Sequence, residues 1–474
     1  MSVTEGSTSV NVEDPAPAGP FDVIVLGAGS GGYATALRSA ELGLSVALVE
    51  ADRIGGTCLN RGCVPTKALL QAAHVADEIR EANRLGVDAS LNGVDPAALH
   101  AFKRSVVDRM HKGLTGLIGQ RGITVVPGHG DLVSPSEVRV GQATLAARRA
   151  VVLAMGARPR PFAAAAGAAG RVLDSNRALE LERVPASIAV LGGGVIGVEF
   201  ASLWRSLGAE VTLVEALPHL LSHEDVSCSK QVERQFKKRG IRVKLGAAVE
   251  DVVETAQDVT LRLAGQPPVT AEYLLVAVGR DANLEGAGLA RAGVATAGGL
   301  VRTDAVSRTT APGVWAVGDI TAGPQLAHRA FGQGIAVAER IAGREVPPSD
   351  LAGVPRIAYC DPEVASVGLT EQQALERFGP DGYRAVEQSL MGNARSLIQG
   401  AQGIVKVIRR TDGPIVGVHI VGRGAGELIA EPQAWVAWEA MPEEVAELIH
   451  AHPTQGEALG EACLSLAGKP LHQP

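Results

Sequence analysis

The sequence is poor in cysteine: among 474 residues it has only Cys58, Cys63, Cys228, Cys360 and Cys463. That is too few for a disulfide scaffold and points to a reducing compartment, the cytoplasm. Aromatic residues are scarce as well, at 3%. Basic charge is not in excess. A formal net charge of −7 excludes the basic face of a general nucleic-acid binder. Long hydrophobic runs are also missing. The most apolar stretch, residues 187–204, is broken by Gly192, Gly193, Gly194 and Gly197 and carries Glu199. Those residues argue against a membrane span and for a strand, a glycine turn and a helix. Residues 1–20 lack the basic start and apolar core of a signal peptide and read as a disordered tail. No metal-ligand spacing stands out.

Glycine, by contrast, is abundant, with 57 residues, and so is alanine. This profile suits an α/β protein with many tight turns, and the length allows about three domains. Residues 21–26 (Phe-Asp-Val-Ile-Val-Leu) form a short apolar run of the kind found in buried parallel strands. Gly27, Gly29 and Gly32 follow as GxGxxG, then a helix, then a second strand closed by Glu50. In such a βαβ unit the first glycine permits the turn and the second admits a pyrophosphate. The third lets the helix pack on the strand, and the closing acid accepts from a ribose hydroxyl. The unit recurs with Gly192, Gly194, Gly197 and Glu215 at the same spacing. Two copies are far stronger than one and predict two bound dinucleotides. Residues 216–223 contain no Arg, so Glu215 favours NAD over its 2′-phosphorylated form.

Further runs close these units. Residues 150–156 and 274–279 read as strands ending at Gly156 and Gly279. A third, residues 313–319, ends at Asp319, where an acid can meet a cofactor hydroxyl beyond the strand. Residues 96–122 read as a long helix, and 123–152 as short β-type runs with turns. Residues 163–170 read as a low-complexity connection and Pro347-Pro348 as a linker. Beyond it an α+β pattern is expected, with strands at 403–408 and 415–421 and helices at 370–378, 426–438 and 442–449.

Two segments carry reactive groups. Cys58 and Cys63 form a CxxxxC in a glycine-flanked turn before a helix in which Pro65 suits the first turn. The partial positive charge of a helix N-terminus stabilises a thiolate. A redox-active pair, a structural disulfide and two buried thiols all fit that spacing. Near the other end, His452 precedes Glu457 across a Pro-Thr turn. A carboxylate on one imidazole nitrogen fixes the tautomer and makes the other nitrogen a better base. Cys228, Cys360 and Cys463 read as structural thiols.

Taken together, Gly55-Gly-Thr-Cys58-Leu-Asn-Arg-Gly-Cys63-Val-Pro-Thr-Lys67, the paired fingerprints, Ala-Val-Gly318-Asp319 and His452-Pro-Thr-x-x-Glu457 resemble the flavoprotein disulfide reductases. The resemblance covers nearly the whole chain. Gln325-Leu-Ala-His328-Arg-Ala, the segment Cys360-Asp-Pro-Glu-Val-Ala-Ser-Val-Gly and His450-Ala-His452-Pro-Thr are similar to the dihydrolipoamide dehydrogenase branch. It implies an α/β chain with two Rossmann-like dinucleotide-binding domains and a C-terminal α+β dimerisation domain. The FAD-binding domain would span 21–155 and continue over 281–349, with the NAD-binding domain at 156–280 and the dimerisation domain at 350–474.

The resemblance also implies roles. FAD would lie along Gly27, Gly29, Gly32, Glu50, Thr57, Lys67, Gly130, Gly156, Asp319, Leu326, Ala327 and His328. NAD would lie along Gly192, Gly194, Gly197, Glu199, Glu215, Val249 and Gly279. Cys58 would meet the substrate and Cys63 the flavin. His452, oriented by Glu457, would be the base and would come from the partner of a homodimer. The implied reaction is oxidation of dihydrolipoamide on the lipoyl domains of a multienzyme complex. Reduction of another small disulfide, or a docking role alone, are the alternatives. Met155 departs from the Thr that relatives carry beside the flavin.

Overall fold

The computed structural model describes residues 19–168, 170–348 and 350–472. Apart from its last two residues, the expected disordered tail lies outside them. The chain divides into two compact units. One gathers the chain through Gly56, Gly113–Gly156 and Ala282–Pro348. The other gathers Thr57–Lys112, Ala157–Asp281 and the chain from Ser349 onward. The breaks after Gly156, Asp281 and Pro348 separate the two units. Residues 57–112 differ, because they group with the second unit rather than with the first dinucleotide-binding domain.

In the first unit the strand Phe21–Leu26 is central to a seven-stranded sheet. It runs parallel to Val46–Glu50 and Ala143–Leu153, and Val314–Ala316 pairs in parallel with the latter. The register pairs Leu26 with both Val49 and Leu153. Strand carboxyl ends therefore line up at the Gly27 turn, the place where such sheets bind ligands. The near-continuous apolar runs are explained by burial on both faces: Val23, Ile24 and Val25 are wholly inaccessible.

The second unit repeats this plan. Ser187–Leu191 lies between Glu210–Val214 and Tyr273–Val276 in a parallel five-stranded sheet. Leu191 pairs with both Val214 and Val276. An antiparallel three-stranded sheet, residues 249–271, adjoins it in the chain. The C-terminal segment is an antiparallel five-stranded sheet in which Ile415–Gly422 lies between Glu363–Gly368 and Ile404–Arg410. The α+β pattern holds there, with different limits. The expected helix 426–438 is two short ones, Ala425–Leu428 and Ala430–Ala437, and the helix expected over 442–449 stops at Val445. Among the described residues no helix is long and apolar enough to cross a membrane.

The fingerprint glycines divide by physical role. Gly27 and Gly192 have φ of +98° and +107°, and a Cβ on either would lie 2.4 Å from a carbonyl oxygen, Ala154 or Ala277. A Cβ on Gly32 or Gly197 would lie 1.8 Å from the oxygen of Gly27 or Gly192. These four are demanded by the fold itself. Gly29 and Gly194 are not: both are extended, and nothing crowds a Cβ there more closely than 3.9 Å. Gly194→Ala is accordingly expected to fold with an unchanged thermal transition yet to lose about tenfold in NAD⁺ affinity, roughly 1.4 kcal/mol. Gly197→Ala should lower the thermal transition itself. Calorimetric unfolding beside a binding titration distinguishes the two, and equal destabilisation by both would contradict this division.

A buried polar cluster sits in the C-terminal sheet. His419 is wholly inaccessible, with Nδ1 2.9 Å from Ser366 Oγ and Nε2 2.9 Å from the Leu369 carbonyl. Burial lowers its pKa from the ordinary 6.5, against the attraction of Asp225. Above 6.5 the group is neutral whether the chain is folded or not, and the full stability is present. As pH falls below 6.5, only the unfolded chain takes up the proton at first. Each pH unit then removes up to about 1.4 kcal/mol. The unfolding temperature should fall between pH 7 and 5, and His419→Gln should flatten part of that slope. A variant with the slope of the parent would exclude His419 as its source.

Candidate active site

The cysteine pair sits where two helices meet. Cys58 lies in the short helix Gly56–Arg61, and Cys63 is the first residue of the long helix Cys63–Glu81. Pro65 falls in the first turn as expected, but Cys63 itself opens the helix instead of preceding it. No side chain caps that terminus, where Gly62 stands, so its N–H groups and dipole face the thiol. Gly62 is required by close approach, since a Cβ would meet the Thr57 carbonyl oxygen at 2.9 Å.

Both cysteines are free thiols here, Cys58 half-buried and Cys63 exposed. They divide one charge between them. Donation from the Cys58 thiol lowers the Cys63 pKa to about 7, and the Lys67 ammonium assists. The same hydrogen bond, with burial, drives the Cys58 thiol well above its ordinary value. Cys63 is therefore the preferred thiolate of the reduced pair.

Lys67 is one turn further along the same helix. Its Nζ lies 2.9 and 2.8 Å from the two oxygens of Glu199, whose side chain is 4% exposed. The ammonium also stands 4.8 Å from the centre of the Tyr359 ring. Burial works against the lysine's charge, but Glu199 outweighs it and raises the pKa. Glu199 Oε1 in addition accepts the Tyr359 N–H at 2.9 Å. The family resemblance implies a place for Glu199 along NAD. In the structure its carboxylate pairs with the half-buried Lys67 ammonium. Tyr359 was not anticipated. It immediately precedes the Cys360 segment, but a backbone N–H leaves no mark in a sequence.

The dinucleotide turns offer an equivalent setting twice. The helices Ser30–Glu41 and Val195–Leu207 start at Gly29 and Gly194 with no side-chain cap. Glu50 accepts the Ala28 N–H at 2.6 Å and the Asp52 N–H at 2.9 Å. Glu215 accepts the Gly193 and Leu217 N–H groups at 2.5 and 2.8 Å. Uncapped N–H groups beside an uncrowded glycine suit a pyrophosphate, and a fixed carboxylate suits a ribose. The chain thus fits FAD in the first unit and NAD in the second.

Other expected cofactor residues are distributed accordingly. In the first unit, Gly130 begins a strand, Gly156 turns with φ +68°, and Asp319 follows Gly318 at the end of Val314–Ala316. Leu326, Ala327 and His328 form the uncapped start of the helix Ala327–Ile341. Met155 is half-buried against the apolar core around Ile24 and Leu153, and its carbonyl accepts from Asn283 Nδ2 at 3.0 Å. In the second unit, Val249 opens a strand and Gly279 turns with φ +115°. Thr57 and Lys67 belong to the second unit too.

His452 and Glu457 meet as expected. His452 Nδ1 lies 2.6 Å from Glu457 Oε1, and Glu457 Oε2 accepts the Thr454 N–H at 2.8 Å. Burial opposes the Glu457 charge, but its hydrogen bonds from His452 and Thr454 keep the carboxyl below the usual range. The imidazole is 75% exposed, which leaves Nε2 open to a substrate. Among the described residues no hydrogen bond or ion pair joins this dyad to Cys58 or Cys63. Cys228, Cys360 and Cys463 are buried free thiols, and burial raises the pKa of each. That keeps them unreactive.

Two nucleotide turns, a polarised thiol pair beside a lysine, and a separate histidine–carboxylate dyad define a nucleotide-linked thiol–disulfide oxidoreductase. The chain belongs to the pyridine nucleotide-disulphide oxidoreductase family: residues 21–334 match that family and residues 354–463 its dimerisation domain. The family uses FAD and NAD. The chain is 36% identical to dihydrolipoyl dehydrogenase of Bacillus subtilis over 472 residues, 95% of this chain and 99% of that protein. It is 38% identical to dihydrolipoyl dehydrogenase of Chlamydia muridarum over 459 residues, covering 96% and 98%. The crystal structure of LpdA from Mycobacterium tuberculosis superposes with a TM-score of 0.87 at 28% identity, covering 94% of this chain and 99% of that one.

Proposed function

We propose that the chain is a dihydrolipoyl dehydrogenase, which oxidises dihydrolipoyl groups to lipoyl groups and reduces NAD⁺. The carrying observation is the placement of Cys58 and Cys63 where the helices Gly56–Arg61 and Cys63–Glu81 meet, with Lys67 one turn beyond Cys63. In the oxidised enzyme the pair is a disulfide. His452 Nε2 takes a proton from the incoming dithiol, while Glu457 holds Nδ1–H. The substrate thiolate attacks Cys58 Sγ, the Cys58–Cys63 bond breaks, and Cys63 leaves as the stabilised thiolate. The second substrate thiol then displaces Cys58, which releases the cyclic disulfide and leaves two enzyme thiols. FAD, which the Gly27–Gly32 turn and Glu50 would hold, would supply the two-electron chemistry by which those thiols return to the disulfide and NAD⁺ becomes NADH with release of a proton.

The working unit in this reading is a homodimer, with His452 serving the partner's cysteine pair. Apolar exposure beside the dyad supports it. Ile449 is 99% exposed, and Met391, Leu397, Ile398 and Leu448 are each more than half exposed. Asn393 and Gln455 hydrogen-bond the helix Ala394–Gln399 to the His452 loop. A second copy covering this face would carry the loop to its own site. A lipoyl domain of a 2-oxoacid dehydrogenase or glycine-cleavage complex is the partner this chemistry requires, in the cytoplasm.

Steady-state rates across a panel of dithiols and disulfides, with NAD⁺/NADH and their 2′-phosphorylated forms, test the reading. Dihydrolipoamide with NAD⁺ should give the highest kcat/KM. A higher value for another disulfide, or for the phosphorylated nucleotide, would contradict it.

A further inference from the structure

A second histidine holds the loop that carries His452. His450 Nε2 lies 3.2 Å from Glu431 Oε1, on the helix Ala430–Ala437. The imidazole is only 14% exposed and rests on the helix Glu457–Leu466. A Cβ at Gly460 in that helix would lie 2.6 Å from His450 Nδ1 and 2.9 Å from Cε1. Gly456, one turn earlier, faces the same ring, with a Cβ placed 3.9 Å from Cδ2. Neither glycine adopts a positive φ. A glycine inside a helix destabilises it relative to alanine, and at 460 the backbone does not require one. The room it leaves is filled by the His450 ring.

Those two glycines bracket Glu457. Among the described residues, the hydrogen bond of the exposed His452 ring goes to Glu457 Oε1. The orientation of His452 is therefore only as fixed as the turn from Thr454 to Gly460. His450 is pressed onto that turn on one side and tied through Glu431 to another helix on the other.

We propose that His450 and Glu431 are positioning residues for the His452–Glu457 dyad, acting through the Gly456–Gly460 turn. The inference rests on the reading of His452 as the base. A displacement of about 1 Å at a reacting group can cost about 10²-fold in rate, so the expected losses lie between about tenfold and that value.

The test uses the full-length FAD-loaded enzyme and three variants, His450→Ala, Gly460→Ala and Glu431→Ala. Each should lower kcat for dihydrolipoamide and NAD⁺ by about tenfold or more with little change in KM. Each should retain NADH-driven reduction of ferricyanide, which needs neither thiol nor base. Glu431→Gln, which keeps an acceptor oxygen, should restore most of the rate lost in Glu431→Ala. On a His452→Gln background His450→Ala should cost nothing further, as expected of residues acting as a unit. Loss of ferricyanide reduction in step, a multiplicative effect with His452→Gln, or a His450→Ala rate within twofold of the parent would overturn the proposal. An inactive His452→Gln beside a normal His450→Ala removes this inference alone, whereas a fully active His452→Gln removes the base assignment beneath it.

Discussion

Replacing Cys63 with serine is expected to lower NAD⁺-linked oxidation of dihydrolipoamide by about 10⁴-fold or more, the scale seen when one member of a concerted catalytic unit is removed. The reason is specific to this position. Cys63 starts a helix, and its thiolate is favoured by donation from Cys58 and by the nearby Lys67. A serine hydroxyl there is not ionised at neutral pH and cannot close a disulfide with Cys58. Nothing is then left for the substrate thiolate to attack. Serine is close in size to cysteine, so the fold and the nucleotide turns should persist. The variant should remain yellow, bind NAD⁺ and unfold at the parent temperature. A Cys63→Ser protein that turns over dihydrolipoamide within tenfold of the parent would end the proposed mechanism.

His452→Gln carries the second-largest expected effect, a loss of about 10²- to 10⁴-fold, the usual contribution of a general base. Glutamine can still donate to Glu457 Oε1, so the turn at Thr454 should survive while proton transfer at the Nε2 position is lost. The loss should fall on kcat with dihydrolipoamide, while NADH-driven ferricyanide reduction remains. Mixing the two variant chains adds a sharper test. If His452 serves the partner subunit, each mixed dimer of Cys63→Ser and His452→Gln chains contains one intact site. Random reassociation should then recover roughly a quarter of parent activity. No recovery would place His452 with the cysteines of its own chain.

How far the sequence reveals this site depends on distance along the chain. The two glycine fingerprints were legible because each is local: strand, turn, helix and closing acid lie within one βαβ unit, and sterics leave little choice at Gly27 and Gly32. The same holds for Glu457 beside His452, which are close in sequence and joined across one turn. What could not be read involves partners far apart. Lys67 and Glu199 meet because the helices Cys63–Glu81 and Val195–Leu207 pack together. No periodicity announces that. Tyr359 contributes a backbone N–H and a ring face, neither of which is a motif. Residues 57–112 follow the first fingerprint in sequence, yet their helix joins the core around Leu69, Leu203 and Trp204, so the unit boundary is invisible to composition. Cys63 opens the long helix instead of preceding it, because Pro65 is tolerated anywhere in a first turn and does not fix where the helix begins.

The most direct test of the account is a thiol count on the purified, air-oxidised protein. Peptide mapping after alkylation should find Cys58 linked to Cys63, with Cys228, Cys360 and Cys463 unlinked. One equivalent of dihydrolipoamide, added without oxygen, should convert that link into two alkylatable thiols per chain, and NAD⁺ should then restore it as one equivalent of NADH appears. If Cys58 and Cys63 are unlinked at the start, or stay unreactive after dihydrolipoamide is consumed, the cysteine pair is not the redox centre and the account fails.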